Sequence, residues 1–163
     1  MFSRWCVRPI RFLLEKWYDI TIATAGFRSL IPIGKELNLR LVLLNLRGYP
    51  GSTPYSDDEL ELFGGSPNEQ GKALKARGFE LATFLRWFIE KESIPQIHTA
   101  AGGDKAVGGL SILAWSGGNS QTMPLFAYAD ELPEETQALL DKYLRSFIMY
   151  GKDIHVVLGL STQ

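Results

Sequence analysis

Two nearly unbroken aliphatic runs constrain this chain most, because each is typical of a strand buried on both faces of a parallel sheet. The first run covers residues 39–46 and the second covers residues 109–115. Between them, residues 69–92 carry apolar side chains at three- and four-residue steps, which predicts an amphipathic helix that ends before Pro95. This order of strand, helix and strand predicts two parallel strands of one sheet joined by a right-handed crossover.

The remaining blocks also alternate between strand and helix. We predict strands at residues 19–24 and 145–150, and helices at 27–37, 119–130 and 133–144. Residues 47–67 are rich in Gly and Pro and predict a long loop with at most one helical turn. The pattern therefore predicts an α/β domain over residues 19–163, with a mostly parallel sheet and helices on both faces, preceded by an N-terminal helix or poorly ordered segment over residues 1–18.

Composition narrows the function classes. The formal net charge is -1, from 17 basic and 18 acidic residues, which argues against nucleic acid or an anionic membrane as a partner. Cys6 is the only cysteine, which excludes an internal disulfide and a cysteine-rich zinc site. We expect a soluble, cytoplasmic protein without a membrane span, metal or cofactor. The basic residues within the first sixteen positions also fit a mitochondrial presequence, and the sequence leaves this alternative open.

The sequence AWSGG at residues 114–118 directly follows the second buried strand and precedes a predicted helix. Parallel sheets place their sites just beyond the carboxyl ends of the strands. A serine on such a turn exposes its hydroxyl above the sheet, and the strained backbone requires small neighbours. These observations favour Ser116 as a nucleophile and the N–H of Gly117 as an oxyanion donor. An ordinary serine that caps a helix is the simpler alternative.

The AWSGG segment resembles the nucleophile elbow of the α/β-hydrolase superfamily, with Ala114 in place of the commoner first glycine. The segment LLNLRGYPGS at residues 43–52 is similar to the strand and turn that these hydrolases carry upstream. Over residues 24–150, about three quarters of the chain, the sequence is similar to a fungal branch of the superfamily. The resemblance implies a partial α/β-hydrolase fold, namely the N-terminal half that carries the nucleophile. It also implies an activity, the hydrolysis of esters, thioesters or amides.

The same resemblance implies partners for Ser116 that the sequence supplies only in part. The second oxyanion donor of the family corresponds to Phe27, but the family's preceding His-Gly pair reads Ala25-Gly26 here. Asp153 corresponds to one position of the triad acid, and His155 is the only histidine after the serine.

Because the sequence does not clearly supply a triad acid and histidine for Ser116, two functions stay open. His155 follows Asp153 so closely that a role as an ordinary loop histidine fits it better, and His98 precedes the nucleophile strand. The first function is hydrolysis of an uncharged small-molecule substrate. The alternative is a catalytically inactive fragment or pseudoenzyme that lacks the triad acid and histidine, either a binding module or a truncated gene product. Without a placed general base we expect little or no turnover. The 145–150 strand is expected at a sheet edge, where it favours self-association.

Overall fold

A computed structural model describes residues 7–9, 30–37, 39–99 and 106–151. The predicted strand at residues 19–24 lies outside these residues. The chain divides into two compact units, Met1–Asp57 and Asp58–Gln163, and each is described by itself. The domain bounds 1–18 and 19–163 remain predictions, and within the first of these segments the structure describes only a short strand.

The first unit contains two short strands and one helix. Strand β1, Val7–Pro9, pairs antiparallel with strand β2, Val42–Leu44, and helix α1 is Leu30–Glu36. The prediction of one parallel sheet holding both aliphatic runs is wrong for the described pairings, because the 39–46 run contributes β2 to a sheet with β1. Its apolar pattern predicts a strand but does not choose the partner, which depends on tertiary contacts.

The second unit is a mixed α/β structure. Its helices are α2 (Asp57–Gly64, which begins at the boundary), α3 (Pro67–Lys91), α4 (Gly118–Ala127) and α5 (Glu134–Tyr143), with a 3-10 turn at Ala129–Glu131. Its strands are β3 (His98–Thr99), β4 (Ala106–Val107), β5 (Leu110–Trp115) and β6 (Leu144–Tyr150). Strands β3 and β4 pair antiparallel, whereas β5 and β6 form a two-stranded parallel sheet. The predictions of α3, α4, α5, β5 and β6 are confirmed.

Helix α3 begins at a reciprocal cap. The backbone N–H of Ser66 donates to Glu69 Oε2 at 2.7 Å, and Glu69 N–H donates to Ser66 Oγ at 3.5 Å. Pro67 occupies the first helical position, where its missing N–H costs nothing. The hydrogen bond from the Ser66 side chain, and then that from its backbone, hold the pKa of Glu69 below its ordinary value. These local contacts fix where the helix starts.

The core of the second unit lies where α3 crosses α4. The crossing is close because Gly78 of α3 faces the backbone of α4: a Cβ at this position would lie 2.6 Å from the carbonyl carbon of Pro124 and 2.7 Å from the nitrogen of Leu125. Leu125 is 2% exposed, and Phe84 and Phe88 of α3 stack at 5.7 Å. Close backbone approach at a glycine lets the flanking side chains interdigitate.

One face of the parallel strand pair packs against helix α4, and the other face is exposed. Phe147 of β6 stacks on Phe126 of α4 at 4.7 Å, and Ala114 of β5 is buried. The alternate positions form a second apolar row that is exposed, consisting of Leu113, Trp115, Ile148 and Tyr150. In the described part of the chain, none of the helices combines the length and hydrophobicity that a membrane span requires.

Candidate functional site

Ser116 lies on the turn that joins β5 to α4. Strand β5 ends at Trp115, and the helix begins two residues after the serine at Gly118. The φ angle of Ser116 is 49°, which is uncommon for a residue with a side chain, and the residue is exposed. The predicted position of this serine, on a sharp turn at the carboxyl end of a strand, is therefore confirmed.

Three hydrogen bonds hold the serine turn. The N–H of Ser116 donates to the carbonyl oxygen of Tyr150 at 2.9 Å, and the N–H of Asn119 donates to the carbonyl oxygen of Ser116 at 2.9 Å. The side-chain amide of Asn119 donates from Nδ2 to the same Tyr150 oxygen at 3.4 Å. Both backbone polar groups of the serine are thus fixed, which supports a φ angle that costs on the order of 1 kcal/mol.

The chain leaving β6 passes directly against the serine turn. Gly151 has a φ angle of 123°, a conformation that side chains disfavour. A Cβ at this position would lie 3.0 Å from the nitrogen of Ser116 and 3.2 Å from Cδ1 of Trp115. A glycine is therefore needed here both for the backbone conformation and for the space.

The amino end of α4 adds a favourable electrostatic environment. Gly117 is the residue before the helix and supplies no side-chain cap. The first helical N–H groups lack partners within the helix, so they give this end a partial positive charge. Ser120 and Thr122 instead donate their hydroxyl groups to the carbonyls of Gly117 and Gly118. An oxygen that becomes negative beside Ser116 would be stabilised at this position.

A shallow cleft opens beside the serine turn. The residues that line it are Trp115, Met149, Tyr150 and Gly151. None of these four carries a charge, and both aromatic side chains are exposed to solvent. These four side chains therefore offer no charged group to an ion.

The sequence-predicted partners of Ser116 are not all described. Asp153, His155 and Phe27 lie outside the described residues, so their roles remain predictions. His98 lies on β3, and its Nδ1 is 3.0 Å from the carbonyl oxygen of Gln96.

His98 is placed at the wrong end of β5 to serve Ser116. It pairs with Val107 just before the strand begins, whereas the serine follows the strand. The six residues of β5 separate the two ends by about 20 Å. The structure therefore does not bring His98 to the serine.

The upstream turn after β2 belongs to the first unit and is closed by its own contacts. Arg47 donates from Nη2 to the carbonyl oxygen of Pro54 at 2.9 Å and lies over the ring of Tyr55 at 5.0 Å. Asn45 donates from Nδ2 to the carbonyl oxygen of Pro50 at 3.0 Å. This turn is a compact loop with internal polar partners.

Sequence reasoning missed two residues that shape the site, Asn119 and Gly151. The available signals were an amide residue directly after the Gly117-Gly118 pair and a glycine directly after the last predicted strand. Neither signal predicts that Gly151 lies against Ser116 or that the Asn119 side chain donates to the Tyr150 carbonyl, because both contacts form only when β6 pairs with β5. Within the described residues, no three His, Cys, Asp or Glu side chains are grouped as a metal site.

Comparison with models of protein families, with curated proteins and with solved structures finds no match to this chain.

Proposed function

We propose that this chain is an α/β-hydrolase-like protein with a partial α/β-hydrolase fold, in which Ser116 is the nucleophile of acyl transfer. One observation carries the proposal: a serine with a φ angle of 49° stands between a parallel strand and a helix amino end. This conformation is costly for a residue with a side chain, and nucleophile elbows store strain of this kind. An ordinary helix-capping serine would not require it.

The proposed chemistry follows from the groups around the turn. The hydroxyl of Ser116 attacks the carbonyl carbon of an ester, thioester or amide, and the oxyanion of the tetrahedral intermediate lies at the amino end of α4, where the N–H of Gly117 donates. The C–O, C–S or C–N bond then breaks, and the alcohol, thiol or amine leaves with the serine proton. Water hydrolyses the acyl-serine and restores the hydroxyl. The serine proton requires a base, for which His155 is the candidate within the chain, and Asp153 is the candidate acid that orients it.

The cleft supports a substrate class. Trp115 and Tyr150 flank the serine with aromatic surface, and Met149 adds a flexible apolar side chain. These residues favour an uncharged small-molecule substrate with an apolar acyl or alcohol group. They offer no cation for a substrate carboxylate or phosphate.

Self-association is part of the same proposal. In the described residues, β6 pairs only with β5, and Ile148 and Tyr150 are exposed. A strand edge with unpaired backbone groups and apolar side chains favours pairing with a second copy. A single monomeric species at all concentrations in sedimentation equilibrium would contradict this part.

The test of the enzymatic proposal is covalent labelling of Ser116. The full chain is treated with a fluorophosphonate probe and with short-chain p-nitrophenyl esters, and the modified residue is identified by mass spectrometry. We expect slow, specific labelling at Ser116 that Ser116→Ala abolishes and that His155→Ala decreases about tenfold or more.

Ser120→Ala is the matched control, because this serine lies in the first turn of the same helix and donates to Gly117. Labelling should persist in this variant. A folded chain whose Ser116 reacts no faster than Ser120 would contradict the nucleophile and favour the inactive binding module.

A further inference from the structure

Asn119 is a buried polar residue beside the serine turn, and the proposed acyl transfer does not use it. Its side chain is 5% exposed. Its Nδ2 donates to Tyr150, but its Oδ1 is buried and has no hydrogen-bond partner within the described residues. An amide oxygen buried without a partner costs about 1–3 kcal/mol. A residue that carries this cost is expected to do something that an apolar residue cannot do.

Asn119 contacts the backbone of Ser116 directly through its N–H, and indirectly through its side chain and the Tyr150 carbonyl. Its own N–H donates to the carbonyl oxygen of Ser116, and its side chain donates to the Tyr150 oxygen that accepts the N–H of Ser116. The side chain of Asn119 therefore holds the Tyr150 carbonyl that accepts from the Ser116 N–H, and the backbone N–H of Asn119 holds the Ser116 carbonyl. An apolar side chain of equal volume would fill the space but could not hold the Tyr150 carbonyl.

We propose that Asn119 is a positioning residue for Ser116. Its side-chain amide fixes the Tyr150 carbonyl, and this carbonyl keeps the serine in its positive-φ conformation against the amino end of α4. The inference rests on the proposed function in treating Ser116 as the reacting residue. The geometry can be tested without hydrolysis, so failure of one proposal is distinguishable from failure of the other.

The experiment measures the reactivity of a thiol placed at position 116. The full chain carries Ser116→Cys together with Cys6→Ala, which removes the only native cysteine. The rate of alkylation by iodoacetamide is measured against pH, because the thiolate is the reacting form. A thiol held beside a helix amino end should have a pKa about one unit or more below the free value of about 8.5.

Asn119→Ala is then added to this background, with Thr122→Val as the matched control. Thr122 is similarly buried, lies on the same helix and donates to the carbonyl of Gly118 at 2.9 Å. We expect Asn119→Ala to raise the thiol pKa towards 8.5 and to slow alkylation at pH 7 by about three- to tenfold. Thr122→Val should lower stability without moving the pH profile.

Asn119→Leu, which keeps the branching and the number of heavy atoms of the side chain, should act as Asn119→Ala does. An unchanged pH profile in folded Asn119 variants, or an equal change in Thr122→Val, would overturn the positioning role. Unfolding of both Asn119 variants while Thr122→Val stays folded would also overturn it, in favour of a purely structural role. A shifted profile without phosphonate labelling of native Ser116 would support the positioning and contradict the hydrolase.

Discussion

In the second unit, apolar side chains are buried in the helical layer but exposed on the outer row of the strand pair beside it. Where α3 crosses α4, the apolar side chains are almost fully buried, and Leu125 is 2% exposed. On the outer row of β5 and β6, Leu113 is 43% exposed and Tyr150 is 65% exposed. Burial stabilises a fold roughly in proportion to the apolar area removed from water, so most of the stability of this unit comes from the helical layer.

This difference separates the part that folds the unit from the part that is available for chemistry. Strand β5 shows both behaviours, because buried Ala114 is followed by exposed Trp115, and the serine turn begins directly after the strand. The packed row anchors β5 to the helices. In the proposed function, the exposed row and the serine turn bind a ligand or a second copy while the packed core stays intact.

The largest expected effect is the contrast between two leucine truncations. Leu125→Ala should decrease the free energy of unfolding by about 3 kcal/mol, because it leaves a cavity in the core. Leu113→Ala should cost less than about 1 kcal/mol, since its side chain already contacts water. Urea denaturation followed by circular dichroism measures both. Equal losses of unfolding free energy in the two variants would mean that the outer row is covered in solution. The contrast between the helical layer and the outer row would then be wrong.

An intermediate effect is expected at the helix crossing. Gly78→Ala should decrease the free energy of unfolding by about 2 kcal/mol, because the new Cβ meets the α4 backbone, which cannot move aside as a side chain does. Gly71→Ala on the same helix is the control, since its Cβ would meet only Tyr128 Oη at 4.0 Å. That change should be neutral or stabilising by about 0.5–1 kcal/mol. A destabilised Gly71→Ala would show that helix propensity, rather than the crossing, sets the result.

The smallest effect is expected at the cap of α3. The folded-state pKa of Glu69 lies below its ordinary value because Ser66 donates to its carboxylate. Its contribution to stability is therefore present above the unfolded pKa of about 4.3 and is lost as the pH falls through the lower folded-state pKa. Glu69→Gln should consequently show a weaker loss of stability than the wild type between neutral pH and pH of about 3.

Thermal unfolding at a series of pH values measures this difference. Glu61→Gln on α2 is a suitable control, because it removes one carboxylate without touching the cap. A wild type and a Glu69→Gln variant with parallel pH profiles would show that the cap carboxylate is not stabilised in the fold.

Sequence reasoning found α3, α4, α5, β5 and β6 of the second unit because their signals are local. The period of the apolar side chains gave α3, Ser66 and Glu69 fix its start, and the small residues around Ser116 indicated a turn between strand and helix. The partner of the first aliphatic run was not readable, since β2 pairs with β1 by tertiary contacts. Gly151 and Asn119 could not be assigned to the site for a related reason: they are 35 and 3 residues from the serine in sequence, and only pairing of β5 with β6 gives them a common neighbour in Tyr150.

The amino-acid sequence by itself determined where most helices and strands of the second unit lie, and it placed Ser116 at a strand-to-helix turn. Periodicity, caps and turn residues act over a few residues, so the printed sequence contains them. Tertiary structure alone decided which strands pair, which apolar row is buried, and that the Tyr150 carbonyl holds the serine. These features depend on contacts between distant segments, whose free energies are set by packing and hydrogen bonding in the folded chain.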